Sequence, residues 1–124
     1  MFDHVGLRVK DVRASSRFYS AALMPLGCTS NQSGTSFGPP GAHGLYLYEA
    51  TGATTGRGTH LAFLAGDRAA VDRFHAAGLD AGGRDNGKPG IRADYAPTYY
   101  AAFLLDPDGN NVEAVCMKEG PAAR

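Results

Sequence analysis

The stretch Gly58–Gly83, GTHLAFLAGDRAAVDRFHAAGLDAGG, restates an earlier one, Asp3–Gly27, DHVGLRVKDVRASSRFYSAALMPLG. At an offset of 56 positions His4 falls on His60, Asp11 on Asp67, Ala14 on Ala70 and Arg17 on Arg73. Phe18 falls on Phe74, Ala21 on Ala77, Leu23 on Leu79 and Gly27 on Gly83, all without a gap. A period of this length marks an internal duplication. Two copies are too few for an open solenoid, so a pseudo-symmetric pair of modules is expected.

Each copy has the same local logic. In HVGLRV, Val5, Leu7 and Val9 alternate with His4, Gly6 and Arg8, the pattern of a half-buried strand. Asp11 then serves as N-cap of a helix, its carboxylate accepting from free backbone N–H groups. Val12, Ser15, Ser16, Tyr19, Ala22 and Leu23 form one helical stripe, ended by Pro25 and Gly27. The second copy places Leu61 and Phe63 on the helix side of a strand, then Asp67 as N-cap. Val71, Phe74 and Ala77 follow on the helix, with Gly82 and Gly83 as terminator. CTSNQSG, TSFG and LYLYEA read as short strands after the first helix. TYYAAFLLD and NNVEAVCM read as strands joined by PDGN, where Asp108–Gly109 signals a tight turn. RDNGKPGIRADYAP, rich in Pro and Gly, reads as a loop.

These elements read as an α+β fold of two modules, each a strand, a helix and two or three antiparallel strands, with the helices outside and the open sheet faces brought together around a shared pocket. The chain has 124 residues, suited to one domain. Module boundaries fall at about residues 1–52 and 58–118, with a tail over 119–124. Apolar residues make up 44% and charged residues 19%, a globular balance. Twelve basic and twelve acidic residues cancel, which argues against a nucleic-acid partner or a polybasic membrane patch. No apolar run reaches the length of a bilayer span. MFDHVGL lacks a basic region followed by an apolar one, so a cytoplasmic location is expected. Cys28 and Cys116 lack metal-type spacing and read as small buried hydrophobes.

Parity then assigns faces. With Val5, Leu7 and Val9 under the helix, His4 and Arg8 point to the other face. With Leu61 and Phe63 under the helix, so does His60. If Val112, Ala114 and Cys116 pack inward on the last strand, Glu113 joins the histidines. Two imidazoles and a carboxylate can form a facial metal site with open positions. A lone strand histidine is more often a hydrogen-bonded polar residue. Two at equivalent places in a repeat, plus an inward glutamate, are harder to read that way.

These residues bring the chain to a known family. DHVGLRVKDVRASSRFYSAALMPLG, THLAFLAGDRAAVDRF and above all YYAAFLLDPDGNNVEAV resemble the vicinal oxygen chelate superfamily over essentially the whole chain. Its members include glyoxalase I, bleomycin-resistance proteins, fosfomycin-resistance enzymes and extradiol dioxygenases. The resemblance implies paired βαβββ modules and a divalent metal (Zn, Ni, Mn or Fe) on His4, His60 and Glu113. A fourth ligand common in the family looks absent, because Glu49 lies on the wrong parity and Tyr46 stands in its place. Arg8 matches a glyoxalase arginine that binds a carboxylate, though a salt bridge to an inward acid is an equal reading.

The resemblance further implies a small-molecule enzyme that chelates two neighbouring oxygens of its substrate, with glyoxalase-like lyase, isomerase or thiol-transfer chemistry. Glu113 is then the matched candidate for catalytic base. Tyr46, Tyr48, Tyr99 and Tyr100 are candidates for lining the cavity, though alternation sends half of such tyrosines to the core. Arg92 and Tyr95 sit on a loop that could cover it. His43 and His75 share no ligand parity. The competing readings are a metal-free antibiotic binder and an Fe(II) ring-cleavage dioxygenase. A homodimer is expected, in some members with modules exchanged so that each site uses both chains.

Overall fold

A computed structural model describes residues 1–50 and 58–120. Strand β1 (Val5–Val9) leads into helix α1 (Val12–Leu23) and a 3-10 turn over Met24–Leu26. Three strands follow: β2 (Thr29–Ser30), β3 (Ser36–Gly38) and β4 (Leu45–Glu49). The second module repeats the order with β5 (His60–Leu64), α2 (Arg68–Asp80), β6 (Arg84–Ile91), β7 (Tyr100–Leu105) and β8 (Asn111–Cys116). One sheet runs β1-β4-β3-β2 and the other β5-β8-β7-β6. In each, the first strand lies parallel to the last and the remaining pairs are antiparallel. The α+β duplication is therefore the observed fold. The junction expected between residues 52 and 58 and most of the tail lie outside the described residues, which resume at Gly58. No described helix is long and apolar enough to cross a membrane.

Both N-caps form as the sequence implies. Asp11 accepts from the backbone N–H groups of Arg13 and Ala14, and Asp67 from that of Ala70. Glu49 explains its own odd parity: its carboxylate accepts from the Val12 N–H, adding a second acceptor at the start of α1. CTSNQSG shrinks to the two residues of β2, because Asn31 turns the chain there, accepting from the Thr35 and Ser36 N–H groups.

The segment read as a loop, RDNGKPGIRADYAP, needs correction. Its first eight residues form strand β6, paired to β7. Pro89 is tolerated because β6 is an edge strand and the register slips between Asp85 and Gly87 and again between Gly87 and Gly90. His75, 8% exposed, pins this edge to α2 through a 2.8 Å contact with Asp85. That bond is the leading cause holding the Asp85 carboxyl below its ordinary range.

One hydrophobic core joins the two modules, drawing Leu7, Val9, Leu45 and Leu47 from one sheet and Tyr100, Ala102, Leu104, Val112 and Ala114 from the other. The helices meet inside it. Gly78 makes this approach possible: a Cβ there would sit 2.3 Å from Leu104 Cδ1 and 3.3 Å from Phe18 Cε1. The DPDGN turn completes the seam. Asp106, 1% exposed, accepts from the Tyr19 hydroxyl at 2.6 Å and from the N–H groups of Asp108 and Asn110. Asp108 in turn accepts from the Lys10 N–H at 3.2 Å. Burial, reinforced by Asp106, pushes the Tyr19 phenol far up, so it remains a donor.

Tyr19→Phe deletes a donor to a buried carboxylate, and the variant is expected to lose about 1–3 kcal/mol in urea unfolding. A midpoint equal to that of the parent would mean that this bond does not hold the seam. The second prediction concerns Tyr100, which donates to Asp72 at 2.6 Å. Burial first, then that bond, push its phenol up to about 12. Since this lies above the ordinary value of 10.0, the contribution to stability is full below that pH and is lost as pH rises through about 12. In an alkaline absorbance titration, Asp72→Asn should move one late phenolate transition toward the ordinary value; an unmoved transition would remove Asp72 as a cause.

Candidate functional site

Glu113 is the residue on which the site is built. It lies on β8 between Val112 and Ala114, which face the core, so alternation turns its side chain to the opposite face of the sheet. It is nevertheless only 2% exposed. One carboxylate oxygen, Oε1, lies 2.9 Å from His60 Nε2. The other, Oε2, accepts a short hydrogen bond from the Tyr99 hydroxyl. That bond, followed by burial, raises the Tyr99 phenol to about 12, so Tyr99 acts as a proton donor to the carboxylate. Tyr95 packs edge-on against Tyr99, their ring centres 5.0 Å apart. Phe103, paired across the ladder with Glu113, lies beside His60. Arg92 stacks over the same Phe103 ring at 5.3 Å.

The first sheet carries the other expected residues. His4 directly precedes β1, and its ring meets Tyr46 edge-on at 5.2 Å. Its Nδ1 contacts Asp3 at 2.7 Å. Tyr46 and Tyr48 take the face away from the core while Leu45 and Leu47 are buried, as parity requires. Arg8 is exposed and pairs in register with Tyr48.

Of the proposed ligands, His60 and Glu113 come together. His4 does not join them within one chain: among the described residues, no three His, Cys, Asp or Glu side chains are grouped to hold a metal. Tyr100 must be corrected. Its neighbour Tyr99 takes the site face, so Tyr100 points under α2 to Asp72 and belongs to the core. Phe103 was missed among the site residues; its place two residues from Ala101 and four from Tyr99 on one alternating strand is the signal that could have found it. His43 is structural, bridging Ser36 and Thr29. Cys116 is buried, and burial pushes the half-buried Cys28 thiol up.

A cavity of about 320 Å³ lies between the modules, walled by Leu23, Cys28, Phe37, Leu45, Leu61 and Phe63 and also touched by His4. Glu113, His60 and Tyr99 are not among the residues that line it.

The chain matches the family described as the Glyoxalase/Bleomycin resistance protein/Dioxygenase superfamily over residues 1–114. Among solved structures it is similar to a glyoxalase/bleomycin resistance protein from Albidiferax ferrireducens T118. That likeness has 30% identity and a TM-score of 0.75, covering 94% of this chain and 98% of the other. A glyoxalase/bleomycin resistance protein/dioxygenase family enzyme from Burkholderia phytofirmans PsJN shares the fold at 19% identity and a TM-score of 0.70, covering 94% and 98%. So does the oxidase ChaP-H2, at 21% identity and a TM-score of 0.67, covering 99% and 98%. Among curated proteins none matches. The duplicated βαβββ order, the DPDGN seam and the match over 1–114 agree: the chain belongs to the glyoxalase/bleomycin resistance protein/dioxygenase superfamily.

Proposed function

We propose that this protein is a metal-dependent enzyme of the glyoxalase kind, a lyase, isomerase or thiol-transfer catalyst for a small molecule with two neighbouring oxygens. The carrying observation is the Glu113–His60 pair. A buried carboxylate turned away from the core is costly unless cations or donors meet it. Its Oε1 lies 2.9 Å from His60 Nε2, near enough that a small parting of the two side chains would let both atoms hold one ion. His4 is the third ligand in this reading. With Nδ1 directed to Asp3, its Nε2 keeps a lone pair for coordination, the usual arrangement of a carboxylate behind a metal histidine.

A second copy supplies what one chain lacks. The working face of each sheet is open, and Phe2 and Leu64, near the two histidines in sequence, are 79% and 78% exposed. A twofold homodimer sets His4 of one chain against His60 and Glu113 of the other, twice over.

A bound divalent ion supplies Lewis acidity to the substrate oxygens. The chain's own residues do the rest in this reading. Glu113 is the base in this reading, and the Tyr99 hydroxyl, which holds Oε2, fixes the carboxylate plane. Tyr46, Phe103 and Tyr95 shield the reacting atoms from water. Arg8 and Tyr48 are the remaining contacts for the substrate on the first sheet.

Elemental analysis of the purified chain tests the ligands. One divalent ion per site is expected, lost in His60→Ala and in Glu113→Ala, together with turnover of the methylglyoxal–glutathione adduct. A metal-free protein that binds a cationic drug tightly would instead establish the antibiotic-binder reading, which the name of the 30%-identical relative keeps in play. Oxygen uptake with catechols would redirect it to a dioxygenase.

Mixing tests the shared site. His4→Ala and Glu113→Ala chains, each unable to hold metal alone, should regain about a quarter of the parental content when co-refolded, because half the dimers are mixed and each has one intact site. No recovery in a mixture shown to contain mixed dimers would place the whole site in one chain.

A further inference from the structure

Arg92 is a cation held in place by neutral partners. Its Nη1 donates to the Gly90 carbonyl at 3.0 Å and its Nη2 to the Lys88 carbonyl at 2.6 Å. Its guanidinium lies over the Phe103 ring. The backbone around it is tied as well: the Arg92 N–H donates to the Tyr99 carbonyl, and the Arg92 carbonyl accepts from Tyr95. Strand β6 leaves room for the side chain by having no side chains there. A Cβ at Gly87 would come within 2.9 Å of Phe103 and 3.2 Å of Arg92 Nη2, and one at Gly90 within 3.2 Å of Nη1. Among the described residues no carboxylate lies within ion-pair distance of Arg92.

A clamp for the edge strand needs the two carbonyl bonds but not a partly exposed, uncompensated charge beside the candidate centre. A guanidinium has five N–H donors, and the two carbonyls take one each. The remaining ones form a rigid fork suited to a planar carboxylate. Because the group is already fixed, little side-chain freedom is lost when an anion docks. Phe103 lies between this cation and the centre, its ring 6.4 Å from that of His60 and 5.3 Å from Arg92 Cζ. The two ends are thus within one small molecule of each other, across an aromatic floor completed by Tyr95 and Tyr99.

We propose that Arg92 is the anchor for a carboxylate of the substrate, and that the substrate is an organic acid whose carboxylate docks on Arg92 while its reacting oxygens reach the His60–Glu113 end. The second half of this statement rests on the function proposed above; the anion site itself does not. Arg92 is a binding and positioning residue, with no part in bond making.

The probe is benzoate, with benzamide as its neutral match, titrated into the full-length protein and followed by the NMR signals of the Arg92 Nε–H and the Gly87 and Gly90 amides. Benzoate is expected to shift all three saturably, with Kd of roughly 1 mM or tighter for so small a ligand, while benzamide leaves them in place. Arg92→Gln should weaken benzoate at least about tenfold, and Arg92→Lys should restore part of it, since the charge returns without the fork. His60→Ala should lose any metal yet keep the benzoate response, which separates a failure of the metal reading from a failure of this one. Equal shifts with benzamide, or shifts confined to residues around Arg8, would overturn the proposal, as would saturation by inorganic phosphate with no response to benzoate. If Arg92→Gln unfolds, the benzoate–benzamide comparison on the parent protein decides alone.

Discussion

Helix α1 packs on helix α2 at a glycine, and much else follows from that contact. Phe18 and Leu104 occupy the space where a Gly78 side chain would stand. The two helices and the helix-covered faces of both sheets consequently share one core. Each sheet then has a single face left for function, and those faces carry the polar and aromatic residues: His4, Tyr46 and Tyr48 on one, His60, Tyr99, Phe103 and Glu113 on the other. The seam is reinforced at its far end by Tyr19 and Asp106, a buried pair in which the phenol stays protonated and the carboxylate is fully met by donors.

The carboxylate of Glu113 has a different kind of burial. Asp106 is enclosed by its own turn, and two of its four donors are backbone N–H groups of that turn that cannot leave. Glu113 is met by an imidazole and a phenol, side chains that can exchange partners. A carboxylate with replaceable partners is suited to chemistry, whereas one locked by backbone is suited to holding two modules together. The two acids lie only seven residues apart in sequence, Asp106 at the turn and Glu113 within the strand that leaves it, so the same turn that closes the seam also sets the position of the site.

Much of this was legible from residue spacing. The offset of 56 exposed the duplication, Asp11 and Asp67 marked both helix starts, and alternation placed Glu113 and Tyr46 on the face away from the core. Sequence reasoning failed where local preference was overruled. Pro and Gly in RDNGKPGIRADYAP argue for a loop, yet an edge strand with two slips in register tolerates both, and pairing with β7 supplies the hydrogen bonds that composition could not forecast. Tyr99 and Tyr100 are chemically alike; only the phase of β7 decides that one meets Glu113 and the other Asp72.

By itself, then, the sequence determined the two modules, their caps, the parity of their strands and the residue types that could bind a metal, because all of these depend on periodicities of two and 3.6 along a chain. Tertiary structure decided which of those residues meet. It joined His60 to Glu113, kept His4 out of their group, and folded Arg92 back over Phe103, where among the described residues no carboxylate pairs with it. Such meetings depend on the direction in which whole modules pack, and no local pattern encodes that direction.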